Sequence, residues 1–447
     1  MKMNTLILVI LVAVLLTQFY VPTFLVKAGS STDKWPMFRH DPAHSGCSSG
    51  ASPAISAGQL WNFTTGFAVW SSPALAAGHV YVRCWDNDIY CLNASTGEKM
   101  WSSSTGEKTW GYMIESPVQY SSPAVVDGFV YVGSDDGRVY CLDASTGVQS
   151  WNFTTGDKVR SSPAVANGCV YVGSWDNNVY CLNASTGDKI WSCQTNGYVE
   201  SSPVVEKGYV YVGSTDRYVY CLNASTGEKT WSFRTSGPVY SSPALANDHV
   251  YFGSADGNVY CLNASSGFTI WSHPTQDSVA SSPAVVDNFV YVGSEDNNVY
   301  CLNALTGEKV WSFATGYWVV SSPSVVGGCV YVGSEDYGIY CLNASTGSKL
   351  WSYETAGPVY SSPTVGGGVV YVSSTDGKVY ALGVSSGSAE TRSLLPPSNW
   401  ASAVVISATF SIVAIMLMVA FFMRKTSAET GKADSYFESF FTACLMW

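Results

Sequence analysis

The chain has 447 residues, of which only 12% are charged and 14% are aromatic, with 41 glycines and a formal net charge of −11. Disordered and coiled-coil proteins are excluded, because both need more charge and far fewer aromatic residues. The negative balance also argues against a nucleic-acid partner, since phosphate recognition needs a surplus of Lys and Arg.

The N-terminus reads as a targeting segment. Lys2 precedes an apolar run from Leu6 to Leu16, and Val26-Lys27-Ala28 offers the small residues that signal peptidase prefers. Residues 1–28 are read as a signal peptide; an uncleaved signal anchor is the alternative, because apolar character persists to Val26. Residues 29–56 make a strap that leads into a repeated region.

Ser-Ser-Pro recurs at Ser71, Ser121, Ser161, Ser201, Ser241, Ser281, Ser321 and Ser361, with a period of 40 residues apart from one step of 50. Four short strands, three tight turns and a connecting loop fill such a period, which is the size of a propeller blade. Strand A follows Ser-Ser-Pro, strand B is the Val-Tyr-Val-Gly-Ser run, strand C is Val-Tyr-Cys-Leu, and strand D carries a Trp. Runs such as Val130-Tyr131-Val132 lack alternation, which signals burial on both faces of the sheet. The predicted fold is all-β: an eight-bladed β-propeller of four-stranded antiparallel blades over residues 57–387.

The eighth copy lacks its own Trp strand, and Leu60-Trp61-Asn62-Phe63-Thr64 stands ahead of the first copy to supply it. The first blade carries ten extra residues between Trp101 and Tyr120, including Trp110, Tyr112, Met113 and Glu115. Either Trp101 or Trp110 fits as its strand-D Trp, which leaves the face of the insertion open.

After the repeats, residues 388–400 read as a linker, and 401–423 form a 23-residue uncharged stretch followed by Arg424 and Lys425. That stretch is long enough to be a transmembrane helix, and the basic pair marks the cytoplasmic side. The expectation is a single-pass cell-membrane protein with an extracellular propeller and a cytoplasmic tail, 424–447.

Several recurring residues invite a chemical reading. An Asp stands in every B–C turn (Asp86, Asp136, Asp176, Asp216, Asp256, Asp296, Asp336 and Asp376). Its recurrence favours a turn-building role over a cation site, so no metal is expected. Seven cysteines from Cys91 to Cys341 share one repeat position. Neighbouring blades would hold them on the order of 12 Å apart, beyond disulfide reach, so they are expected to be buried thiols. Cys47, Cys84, Cys169, Cys193 and Cys329 are irregular and open to pairing. Seven Asn-x-Ser/Thr sequons, at Asn62, Asn93, Asn152, Asn183, Asn223, Asn263 and Asn343, are glycosylation candidates in a secreted chain.

The copies differ most just before Ser-Ser-Pro, where Trp70, Tyr120, Arg160, Glu200, Tyr240, Ala280, Val320 and Tyr360 stand. This position opens strand A, the innermost strand, at the mouth of the central channel. Of these, Trp70, Tyr120, Arg160, Glu200, Tyr240 and Tyr360 are the candidate binding residues, for a protein or glycan ligand.

Tyr220-Cys221-Leu222-Asn223-Ala224-Ser225-Thr226-Gly227, closed by Trp231, resembles the quinoprotein-type (pyrroloquinoline quinone, PQQ-like) propeller repeat. The opening Trp35-Pro36-Met37-Phe38-Arg39-His40-Asp41 resembles the strap of such propellers. The resemblance implies either a PQQ-dependent dehydrogenase using Ca²⁺ or a non-enzymatic propeller like the outer-membrane assembly lipoprotein. Alcohol-oxidising members resemble one another in a vicinal disulfide over the cofactor, and this chain has no Cys-Cys dipeptide. The expected function is therefore a non-catalytic, cell-surface binding or scaffolding module with no cofactor. A quinoprotein dehydrogenase and a structural envelope component are the alternatives.

Overall fold

The computed structural model describes residues 36–41, 44–48, 58–105 and 121–383. They form eight sheets, one per blade, each with the four strands of that blade hydrogen-bonded in order, and the blade 7 sheet gains a fifth strand, Cys47–Ser48. Blade 3 is representative: strand A is Ala164–Ala166, B is Cys169–Gly173, C is Asn178–Asn183 and D is Lys189–Gln194. Among the described residues no helix is long and apolar enough to cross a membrane. Segments 1–28, 388–400, 401–423 and 424–447 lie outside the described residues, as does most of the strap.

Blade stacking explains the unbroken apolar runs. Val170, Tyr171 and Val172 are buried, and Val170 and Val172 pack with Tyr131, Val139 and Trp151 of the preceding blade. Full burial of a side chain of this size contributes roughly 1.5–3 kcal/mol, and every blade repeats it on both faces. Polar tips are satisfied across the same junction: Tyr131 Oη and Trp151 Nε1 both donate to the Ala184 carbonyl, at 3.2 and 3.0 Å. Gly187 turns beneath that indole with φ +78°, where a Cβ would lie 2.7 Å from the ring. Only glycine meets both demands.

Ser-Ser-Pro acts as a double fastener. In blade 2 the first Ser, Ser121, accepts the Gly133 N–H at 2.8 Å, pinning the start of strand A to the end of strand B. The second Ser accepts the N–H of its counterpart in the preceding blade. These bonds, 2.8–3.1 Å long, run from Ser72 to Ser122 around to Ser362, which returns to Ser72. The ring is thus closed at its inner rim by an unbroken belt of serines.

The outer closure is as the sequence predicts. Gly58–Thr64 is strand D of blade 8, antiparallel to Lys378–Gly383 with Trp61 opposite Ala381. In blade 1 the strand-D Trp is Trp101, which faces Cys91 and donates to the Ala144 carbonyl at 3.0 Å. The ends of the insertion, Thr105 and Ser121, therefore connect strand D to strand A; residues 106–120 between them lie outside the described residues.

The strap enters the channel. Its Pro36 carbonyl accepts from Val125 of blade 2, and its Ser45 and Gly46 carbonyls accept from Val285 and Val325 of blades 6 and 7. Cys47–Ser48 pairs in parallel with strand A of blade 7. Arg39 donates to the carbonyls of Pro323 and Pro283, and His44 lies 3.3 Å from that of Pro243. Burial lowers the Arg39 pKa to about 9 and holds His44 down at about 3, so His44 is neutral.

Candidate functional site

The recurring groups are occupied by structure. Asp176 Oδ1 accepts the Asn178 N–H at 2.9 Å, while Oδ2 accepts the Tyr180 hydroxyl and the Gly156 N–H, each at 2.6 Å. Each B–C Asp makes the same kind of turn, and all but Asp136, whose D–A loop lies outside the described residues, accept a backbone N–H from the loop beside them. Among the described residues no cluster of His, Cys, Asp or Glu is placed to hold a metal. The seven repeat cysteines are buried opposite strand-B tyrosines, as Cys181 is opposite Tyr171. Cys47, Cys84, Cys169 and Cys193 are also thiols without a disulfide, and Cys329 sits beside Cys341. At the sequons Asn93, Asn183, Asn223, Asn263 and Asn343, Oδ1 accepts two backbone N–H groups of the C–D turn. Asn62 and Asn152 are exposed on strand D.

Among the described residues before Ser-Ser-Pro, Trp70 and Tyr360 meet across a blade junction and Arg160 reaches the B–C turn of the preceding blade. Trp70 stacks on Tyr360 at 4.4 Å and 18°, with Trp85 edge-on at 6.3 Å. Arg160 pairs with Asp135 of the preceding blade, Nε and Nη2 lying 3.3 and 3.4 Å from its carboxylate. Its guanidinium also sits 4.3 Å from the centroid of Trp175, which stacks on Tyr198 at 4.8 Å. Tyr120 lies outside the described residues.

A second variable ring lies in the B–C turns, at the residue just before the recurring Asp. Here stand Trp85, Asp135, Trp175, Thr215, Ala255, Glu295, Glu335 and Thr375. All but Asp135, whose D–A loop lies outside the described residues, are held to that loop by a backbone bond, such as Glu335 N–H to the Trp318 carbonyl at 3.0 Å. None of these residues is among the sequence-based candidates, although their position breaks the repeat as clearly as the first.

The two rings set the electrostatics of the mouth. Glu200 is 7% exposed, and burial pushes its pKa up to about 7 against the opposing pull of Arg160 and the Trp175 indole. Burial also raises Glu335 to about 7, against a hydrogen bond from Tyr360 and with Glu295 pushing the same way. Glu295 is raised by burial too, with Ser278 opposing and Asp277 adding to the shift. Tyr240 is raised by burial and, less, by the charges of Glu200 and Glu295.

The family model of the β-propeller of the β-alanine-activating enzyme matches residues 103–327. That of the outer membrane protein assembly factor BamB matches residues 255–405. No curated protein matches the chain in sequence. BamB from Moraxella catarrhalis superposes with a TM-score of 0.62 at 18% identity, covering 74% of this chain and 98% of its own. A europium-containing methanol dehydrogenase gives 0.67 at 13% identity, covering 79% and 98%. The quinohemoprotein alcohol dehydrogenase from Comamonas testosteroni gives 0.67 at 15%, covering 79% and 81%.

The dehydrogenase likeness raises the question of PQQ, a flat tricarboxylate that needs cationic partners. At the described mouth Arg160 is paired with Asp135, and Glu200, Glu295 and Glu335 would repel the cofactor. Below them the strap carries Arg39 into the channel, both terminal nitrogens bound to carbonyls. These residues do not fit PQQ. The eight-bladed ring, its closing strand and the match over residues 103–327 place the chain in the PQQ-like β-propeller family described by the propeller of the β-alanine-activating enzyme.

Proposed function

We propose that this propeller is a non-catalytic binding module that holds a protein segment at the channel mouth, displayed on the cell surface by its C-terminal anchor. One observation carries the reading: the framework is saturated with internal bonds, while its two variable rings converge on one face. There, among the described residues, half-buried aromatics stand beside carboxyls that form no salt bridge, the composition of a recognition surface. The match to an assembly factor supports a protein ligand over a small molecule. The surface anchor rests on the sequence of residues 401–425.

A photo-crosslinking residue at Tyr240 on intact cells should yield discrete protein adducts, and the same residue at Ser225, in a C–D turn, should not. Replacing Arg160 and Tyr360 together by Ala should remove the Tyr240 adducts. Equal adducts at Tyr240 and Ser225 would sink the assignment of the binding face. Stoichiometric binding of added PQQ with Ca²⁺, read from its absorbance, would favour the dehydrogenase alternative.

A further inference from the structure

Two blades carry a cysteine at the start of strand B, where the other six do not. That first residue is His79, Phe129, Tyr209, His249, Phe289 and Val369 in blades 1, 2, 4, 5, 6 and 8, but Cys169 in blade 3 and Cys329 in blade 7. In both of these blades the repeat cysteine of strand C, Cys181 or Cys341, stands nearby on the adjoining strand.

The register puts each pair on one face of its sheet. Cys169 lies opposite Asn183 and Cys181 opposite Tyr171, in an unbroken ladder; Cys329 opposite Asn343 and Cys341 opposite Tyr331 repeat the pattern. Opposed residues and residues two apart share a face, so the cysteines are diagonal neighbours. Their Cα atoms are about 7–8 Å apart and their Cβ atoms closer. The side chains use that proximity: Cys181 is in hydrogen-bonding contact with Cys169, and Cys341 with Cys329. Cys91, Cys141, Cys221, Cys261 and Cys301 have His, Phe or Tyr at the same diagonal instead.

The two members of a pair differ in access. Cys181 and Cys341 are buried, whereas Cys169 and Cys329 are half-buried, each directly after an A–B turn. Gly168 and Gly328 in those turns have open space where a side chain would stand. A disulfide usually has its Cα atoms within about 6.8 Å, so closing either pair draws the start of strand B inward by about 1 Å, at an end where the turn leaves room.

We infer that Cys169 with Cys181, and Cys329 with Cys341, are two dithiol sites, each oxidised to a disulfide within its own blade by exchange with a small-molecule disulfide. The half-buried cysteine, as thiolate, attacks one sulfur of the small disulfide; that S–S bond breaks, a mixed disulfide forms and one small thiolate leaves. The buried cysteine gives its proton to solvent and attacks the sulfur of its half-buried partner, and the second small thiolate leaves. Each pair thereby loses two protons and two electrons, and the small disulfide ends as two thiols. The pairs sit by the A–B turns, on the face opposite the D–A loops, so this inference stands apart from the binding reading above.

The test exposes the folded full chain in detergent to oxidised glutathione, then blocks the remaining thiols with N-ethylmaleimide under denaturing conditions and digests with trypsin. Cleavage after Arg160, Lys189, Lys309 and Lys349 leaves each pair alone in one peptide, 161–189 or 310–349. By mass spectrometry each peptide should be two hydrogens lighter than its dithiol form, carry neither maleimide nor glutathione, and take up two maleimides after dithiothreitol. Peptide 139–158, which holds Cys141 alone, should carry one maleimide throughout. Cys329→Val and Cys341→Ala use the residues that blade 8 has at these positions, Val369 and Ala381, so both should keep the wild-type melting curve. Cys329→Val should leave Cys341 open to maleimide, and Cys341→Ala should leave glutathione on Cys329. Maleimide on all four cysteines of the wild-type chain would overturn the inference. So would glutathione retained on Cys169 and Cys329 while Cys181 and Cys341 take maleimide, because the pairs would then be packing thiols that cannot close.

Discussion

Glu200 condenses the chemistry of the mouth into one side chain. Its folded pKa of about 7 lies above the ordinary 4.5, so the folded state holds the proton more tightly than the unfolded chain. The penalty is absent below about 4.5 and complete once the pH has risen through about 7. Stability should therefore fall across that window, by about 3 kcal/mol from this residue at most. Denaturant unfolding at pH 5 and pH 8 should show the decline, and Glu200→Gln should remove most of it. An unchanged decline in the variant would mean that other groups carry it. Glu200 and Arg160 are visible in the sequence because they break a strict repeat. Their partners are harder to see: Arg160 meets Asp135 of the preceding blade, a contact across a junction that no local pattern records. The partner ring is further hidden by the invariant Asp beside each member, which draws attention to the turn instead.

At the scale of elements, the fold is almost fully legible, because each strand boundary is written eight times. Turn residues, the buried Val-Tyr-Val runs and the strand-D Trp all recur in phase, so local and global preferences agree. The missing eighth Trp strand and its copy at Trp61 are enough to predict how the ring closes. That strand gives blade 8 its outer edge and carries Trp61 Nε1 to the Ala94 carbonyl of blade 1 at 2.9 Å. Deleting residues 57–66 should leave strand C of blade 8 as an open edge and strip the cover from Gly97 and Tyr371. The expected result is aggregation, or a broadened melt by circular dichroism. A sharp melt at the wild-type temperature would mean that closure resides in the serine belt instead.

Across the whole molecule, the strap does something the repeats cannot. Blades and belt join only neighbours, whereas residues 36–48 bond to blades 2, 5, 6 and 7 at once. Nothing periodic encodes this path, which is why the sequence suggests a strap but not its course. Arg39 is the central tie, lodged against Gly46, whose φ of +64° and lack of a side chain leave it room. Its guanidinium satisfies the carbonyls of Pro283 and Pro323, adjacent blades that would otherwise face the channel with unfilled acceptors. Arg39→Met fills much of the same space without a charge or a donor, so it isolates the loss of those bonds. Burying an ion is itself unfavourable, and its removal offsets part of the effect. Two orphaned carbonyls at roughly 1–3 kcal/mol each should still dominate, giving a net loss of about 2 kcal/mol. Unfolding in guanidinium chloride should show a lower midpoint for Arg39→Met and a smaller shift for Arg39→Lys, which keeps one donor group. An unaltered midpoint in Arg39→Met would show that water reaches both carbonyls, and that the ring stands without the tie across its centre.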